Sequence, residues 1–156
     1  MRAMRLVSMM ALTGMCLGGF LACTSVLMNG PVEKRAEGWI ITLGQVREGP
    51  NEYVGEGVRV NPRRGEKLIW TVVTVKSELG QEETFSYESC ALDLKGQWFK
   101  PYIIDRNEEA NSVADRAEPY KPGQERTRRL IFSYPKEYRP TRMKCNAIVI
   151  PIQGPR

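Results

Sequence analysis

Histidine is absent from this 156-residue chain. General acid–base chemistry near neutral pH most often uses that side chain, and so do many metal sites. The commonest catalytic triads and zinc motifs are therefore excluded, which leaves catalysis to carboxylates, lysine or cysteine. Other signatures are missing too: a phosphate-cradling glycine loop, a nucleophile elbow, a C-x-x-C pair. Glu82-Glu83 and Glu108-Glu109 are adjacent acids, and adjacency does not set two carboxylates across a substrate. Asp105-Arg106-Asn107-Glu108-Glu109 begins like a calcium loop, but Ala110 stands where the loop needs glycine and Arg116 where it needs the bidentate glutamate. No enzyme activity, metal or cofactor is expected.

Charge is also scarce where it would matter. No side chain charged at neutral pH falls between Arg5 and Glu33, and five of the seven methionines precede Gly19. The apolar leader and the polar body are thus two kinds of chain. Without Arg2 and Arg5, the 23 basic residues fall to 21 against 18 acidic ones, a formal +3. Nucleic-acid binders concentrate far more positive charge, so no nucleic acid is expected as a partner.

The leader has the parts of an export signal. Arg2 and Arg5 form a positive start, and residues 6–21 an apolar stretch interrupted by Gly14, Gly18 and Gly19. Phe20-Leu21-Ala22-Cys23 follows. It resembles the lipobox of bacterial lipoproteins, with Ala22 fitting the last position and with Phe20 and Leu21 departing from the usual residues. The resemblance implies diacylglycerol on Cys23, cleavage before it, and membrane anchoring through two or three acyl chains. Thr24, rather than Asp, resembles the sorting pattern for the outer membrane in a Gram-negative cell. An uncut anchor or an ordinary secretory cut after Ala22 are the alternatives; Cys16, inside the apolar stretch, receives no role. The expected organisation is a signal peptide at 1–22, a lipidated N-terminus and flexible tether at 23–36, and one domain at 37–153.

That domain reads as β. Trp39, Ile41 and Leu43 share one face of a strand, and residues 68–75, Leu-Ile-Trp-Thr-Val-Val-Thr-Val, are apolar on both faces, as in a central strand. Further strands are expected at 84–94, 97–104, 128–134 and 144–152, the last with Cys145, Ala147 and Val149 on one side and Ile148 and Ile150 on the other. Residues 105–124 are polar, with a helical turn expected near 108–113. Seven or eight short strands without a covering helix predict an all-β, immunoglobulin-like antiparallel β-sandwich. Cys90 and Cys145 lie in predicted strands of an exported domain, so a disulfide between them is expected.

The body resembles the telokin-like, immunoglobulin-like domain of unknown function found in many bacterial lipoproteins and surface proteins. The resemblance rests on the valine-rich strand 68–75, on Leu92-Asp93-Leu94-Lys95-Gly96-Gln97-Trp98-Phe99, on Tyr120-Lys121-Pro122-Gly123-Gln124 before Leu130-Ile131-Phe132, and on Tyr134-Pro135. It spans roughly 37–152. It implies a sandwich behind a lipobox and a tether, with no catalytic residue to carry over.

Positive charge gathers late, at Arg126, Arg128, Arg129, Arg139, Arg142 and Lys144, with Arg63 and Arg64 as candidates to join them. Arg126 and Arg128 share one strand face and Arg129 the other. These residues are either ordinary solvent-face charge or a docking patch for an acidic partner, with Tyr134 and Tyr138 nearby. Trp39, Trp70 and Trp98 are expected in the core. The functional expectation is a lipid-anchored envelope protein that acts as a non-enzymatic interaction or assembly module for another envelope protein. A protective lipoprotein that binds a toxin or lytic enzyme is the alternative, and a hydrolase or ligand carrier is a third.

Overall fold

The computed structural model describes residues 25–28, 30–108 and 110–152. Cys23 and the leader lie outside them. Among the described residues no helix is long and apolar enough to cross a membrane.

Among the described residues fourteen strands follow one another: β1 Val26–Met28, β2 Val32–Ala36, β3 Trp39–Glu48, β4 Tyr53–Gly55, β5 Val58–Val60, β6 Glu66–Ser77, β7 Glu83–Ser86, β8 Ala91–Leu94, β9 Gln97–Phe99, β10 Ile103–Asp105, β11 Ala117–Tyr120, β12 Glu125–Pro135, β13 Arg142–Cys145 and β14 Ile148–Pro151. They build the expected antiparallel sandwich. One layer is a six-stranded sheet in the order β1-β3-β6-β12-β10, with β2 also paired to β3. The other combines the four-stranded sheet β14-β13-β8-β9 with the pair β11-β7. Between them lies the main core, in which Leu43, Val73 and Phe132 of the first layer meet Phe85, Leu92 and Met143 of the second. Each such side chain stabilises the fold by roughly 1.5–3 kcal/mol relative to exposure.

β6 also accounts for a small second cluster behind the large sheet. Ile69, Val73 and Val75 face the main core, whereas Leu68 and Trp70 join Tyr53 and Ile131 in a second cluster behind the sheet. The β4–β5 hairpin supplies Tyr53 as its cover. Trp70 is pinned there. A Cβ on Gly49 would sit 1.9 Å from Trp70 Cδ1 and 2.2 Å from its indole nitrogen, so no side chain fits at Gly49.

Several expectations change in detail. The tether expected over 23–36 is strand at β1 and β2, because both find β3 as a hydrogen-bonding edge, and Leu27 and Met28 enter the core. The expected strand 84–94 breaks into β7, a 3-10 turn at Tyr87–Ser89, and β8. The expected strand 97–104 is two strands in different sheets, with Pro101 at the crossover. The expected strand 144–152 folds back on itself. Asn146 takes a φ of 51°, Cys145 pairs with Ile148, and Cys145, Ile148 and Ile150 all turn inward. Ala147 and Val149 are exposed instead. Among the described residues there is no helical turn near 108–113. That segment closes on Asp105, which accepts from the Asn107 and Ser112 backbone N–H groups and pairs with Val113 in an isolated bridge.

Cys90 and Cys145 form the expected disulfide, fully buried, joining the start of β8 to the end of β13. Closing a span of 55 residues is worth about 4 kcal/mol in the chain-entropy account.

Gly49→Ala should lower stability by about 1–3 kcal/mol, because the clamped Trp70 ring cannot swing aside. Urea unfolding would show this as a lower midpoint; an unchanged midpoint would mean that Trp70 is not pinned.

Candidate functional site

The strongest surface feature grows from a two-residue turn. Lys95 and Gly96 both have positive φ, 50° and 88°, which is the type I′ geometry that joins two twisted strands tightly. The turn pairs Asp93 of β8 with Trp98 of β9, so the two side chains share a face. Leu92 and Phe99 pair in the same hairpin and point to the core. Asp93 and Trp98 therefore point outward, together with Arg142 and Lys144 of β13, whose neighbours Met143 and Cys145 are buried.

Arg142 donates two hydrogen bonds to Asp93 Oδ2, at 2.7 and 3.1 Å, and Asp93 Oδ1 accepts from the Gly96 N–H at 2.9 Å. This fork holds the Arg142 guanidinium 5.7 Å from the Trp98 ring centre, while Lys144 Nζ stands 4.6 Å from it. Such cation–π contacts are worth about 0.5–1 kcal/mol each at exposed sites. The Arg142 hydrogen bonds hold the Asp93 carboxyl below its usual range against the opposing effect of desolvation, with the Gly96 N–H helping.

Trp98 is only half-buried, which corrects its expected place in the core. Two hollows border it. One, of about 350 Å³, is lined by Ser86, Glu88, Ser89, Lys100, Lys144 and Asn146; the other, of about 270 Å³, by Arg63, Glu66, Lys100 and Tyr102. Among the described residues Lys100 and Lys144 enter no salt bridge. Tyr102, Tyr138 and Val149 are the neighbouring exposed apolar groups, at 44%, 39% and 45% exposure. Half-buried Trp98, Arg142 beside it and Tyr102 across the second hollow are residue types enriched in protein interfaces.

The six basic residues of the expected patch do not come together. Arg126 and Arg128 both close on Glu118 of β11, at 3.0 and 2.8 Å, between the layers. Arg129 turns to the back of the large sheet, where Asn107, Asn111 and Asp105 hold it. Only Arg142 and Lys144 meet at Trp98, and Arg139 is exposed on the turn before β13. Strand alternation separates Arg128 from Arg129, and the change of sheet separates both from β13. Arg64 is exposed, and Arg63 lies over Tyr102 at 6.0 Å. Tyr134 is fully buried, its hydroxyl donating to the Asp93 carbonyl at 2.7 Å; burial, and then the Asp93 charge, push its pKa up to about 12. Tyr138 remains at the surface, with Lys95 Nζ over its ring at 4.5 Å. Sequence reasoning missed Asp93, Lys100 and Glu118. The Asp93–Trp98 pairing had only Gly96 as a signal, without the Asn or Asp before it that marks such turns; Glu118 had none, because its partners are set by the tertiary fold.

No protein-family model matches the chain, and no curated protein matches it. Among solved structures it is similar to an uncharacterized β-sandwich protein from Clostridium difficile 630. That similarity has 14% identity and a TM-score of 0.46 over 75% of this chain and 82% of the other. At that level it says nothing of a site.

Asp93→Asn should cost stability at neutral pH and cost nothing in strong acid. A carboxyl held below its usual range stabilises the fold above that range and loses the contribution as pH falls through its folded pKa. Urea unfolding of wild type and variant across the acid range would measure the gap; a gap that stays constant into acid would contradict the Asp93–Arg142 assignment.

Proposed function

We propose that this protein is a lipid-anchored cell-envelope protein and a non-enzymatic interaction or assembly module, with a telokin-like, immunoglobulin-like domain as its working part. The Trp98 face carries this reading. Lys100, Lys144 and Arg142 around an accessible indole suit an acidic or amphipathic surface of another envelope protein, by charge complementarity and by burial of the ring. Function of this kind lies in surface contacts rather than in a reaction centre.

The anchor rests on the leader: Arg2 and Arg5, the uncharged stretch, and Ala22-Cys23. A fully formed Cys90–Cys145 bridge supports export to an oxidising compartment. In a Gram-negative cell, Thr24 after Cys23 favours the outer membrane.

Affinity isolation from membranes after mild crosslinking tests the reading. Wild-type protein should recover one recurrent envelope partner. Trp98→Ala should weaken that association roughly thirtyfold, the scale of an interface hot spot, while staying in the membrane fraction. Cys23→Ala should leave the membrane fraction. Recovery of the wild-type protein alone, or a Trp98→Ala variant that holds the partner equally well, would contradict it.

A further inference from the structure

A second site lies behind the large sheet, opposite the Trp98 face. Val26, Arg47 and Trp70 are successive cross-strand partners on β1, β3 and β6, so they form one row on that face. Arg47 and Arg129 flank the Trp70 ring, their guanidinium carbons 5.8 and 5.5 Å from its centre. Between them is a hollow of about 140 Å³, completed by Gln45, Val72 and Asn107. Arg129 is fixed: Asn107 Oδ1 accepts from it at 3.1 and 3.2 Å, and Asn111 Oδ1 at 2.9 Å. Asp105, 3.7 Å away, offsets part of its charge, but Asp105 is fully buried. Arg47 is half-buried and, among the described residues, has no carboxylate partner. One clamped guanidinium and one uncommitted guanidinium face a hollow large enough for a small oxyanion. Guanidinium forks match phosphate geometry and bind it with charge-assisted hydrogen bonds.

The way the chain enters the fold says which phosphate. Only Thr24 and Ser25 separate Cys23 from β1. Three residue steps reach at most about 10 Å, and β3 lies about 4.8 Å beyond β1. A lipid on Cys23 therefore keeps the Arg47 backbone within roughly 15 Å of the anchored cysteine, at the level of the headgroups. We propose that the Arg47–Arg129 hollow binds the headgroup phosphate of an anionic phospholipid in the membrane that holds Cys23. This inference rests on the lipid-anchor reading above. It orients the domain, with the back of the large sheet against the membrane and the Trp98 face turned away from it.

The test uses full-length protein extracted from membranes in detergent and carrying ¹⁵N-tryptophan. Short-chain dihexanoylphosphatidylglycerol is titrated against dihexanoylphosphatidylcholine, inorganic phosphate and an acetylated glutamate peptide. The Trp70 indole N–H, buried without a hydrogen-bond partner among the described residues, is the reporter. Phosphatidylglycerol should shift that resonance saturably, and the three controls should leave it in place. Arg47→Gln should weaken binding about tenfold, the loss of a charged hydrogen bond. Gln45→Glu, at an exposed position, should do the same by repulsion. Absence of a Trp70 shift, unchanged binding in both variants, or an equal response to inorganic phosphate or to the glutamate peptide would each overturn the proposal; the last would make the hollow a site for an acidic protein. Mass spectrometry of the same sample separates the two readings. An unmodified Cys23 alongside a saturable Trp70 shift overturns the anchor and leaves headgroup binding standing.

Discussion

β6 must bury both of its faces. Its residues 68–75 are apolar at nearly every position, and a strand of that kind is stable only with cover on each side. One side receives the second layer and the main core; the other receives Tyr53 from the β4–β5 hairpin. β6 pairs with β12 over eleven successive residue pairs, from Glu125–Lys76 to Pro135–Glu66, so the same demand passes to β12, which turns Leu130, Phe132 and Tyr134 one way and Ile131 the other. The cover on the back is incomplete. Where it stops, Trp70 lies between Arg47 and Arg129, and the small hollow opens.

Charge in this domain is organised by pairing rather than by pooling. Glu118 takes Arg126 and Arg128, Asp105 and two asparagines take Arg129, and Asp93 takes Arg142. Cations near these acids are structural first. Lys100 and Lys144 beside Trp98, and Arg47 beside Trp70, stay without a salt-bridge partner among the described residues. They lie on opposite sides of the molecule. If the protein is held by lipid at its N-terminus, as proposed, it has use for two such faces, one against headgroups and one toward a partner.

The fold class was legible because alternation survives tertiary packing. Trp39, Ile41 and Leu43 share a buried face as their spacing predicts, and the disulfide joins the expected pair. What escaped the sequence was the punctuation. Glu37-Gly38, Glu56-Gly57 and Lys95-Gly96 make tight turns with both residues at positive φ, yet they lack the Asn-Gly or Asp-Gly signature of such turns. Asn146-Ala147 hides a hairpin inside an apolar run, which puts Cys145 on the same side as Ile148 and Ile150 rather than with Ala147 and Val149. β1 and β2 escaped because a short strand of ordinary composition is stable only once β3 offers an edge. The candidate surface was half legible. Arg142 and Lys144 were flagged by charge, whereas Trp98 was expected in the core, and their meeting depends on β8 and β13 lying side by side, which local sequence does not encode.

The central claim is that the Trp98 face meets another envelope protein while the β4–β5 side does not. Site-specific photocrosslinking in living cells addresses it directly, with a benzoylphenylalanine replacing Lys100 in one strain and Arg59, an exposed β5 residue, in another. The account predicts a discrete higher-mass protein adduct from the Lys100 position and none from Arg59. An adduct from Arg59 alone, or none from Lys100 in protein shown to be at the membrane, would contradict it.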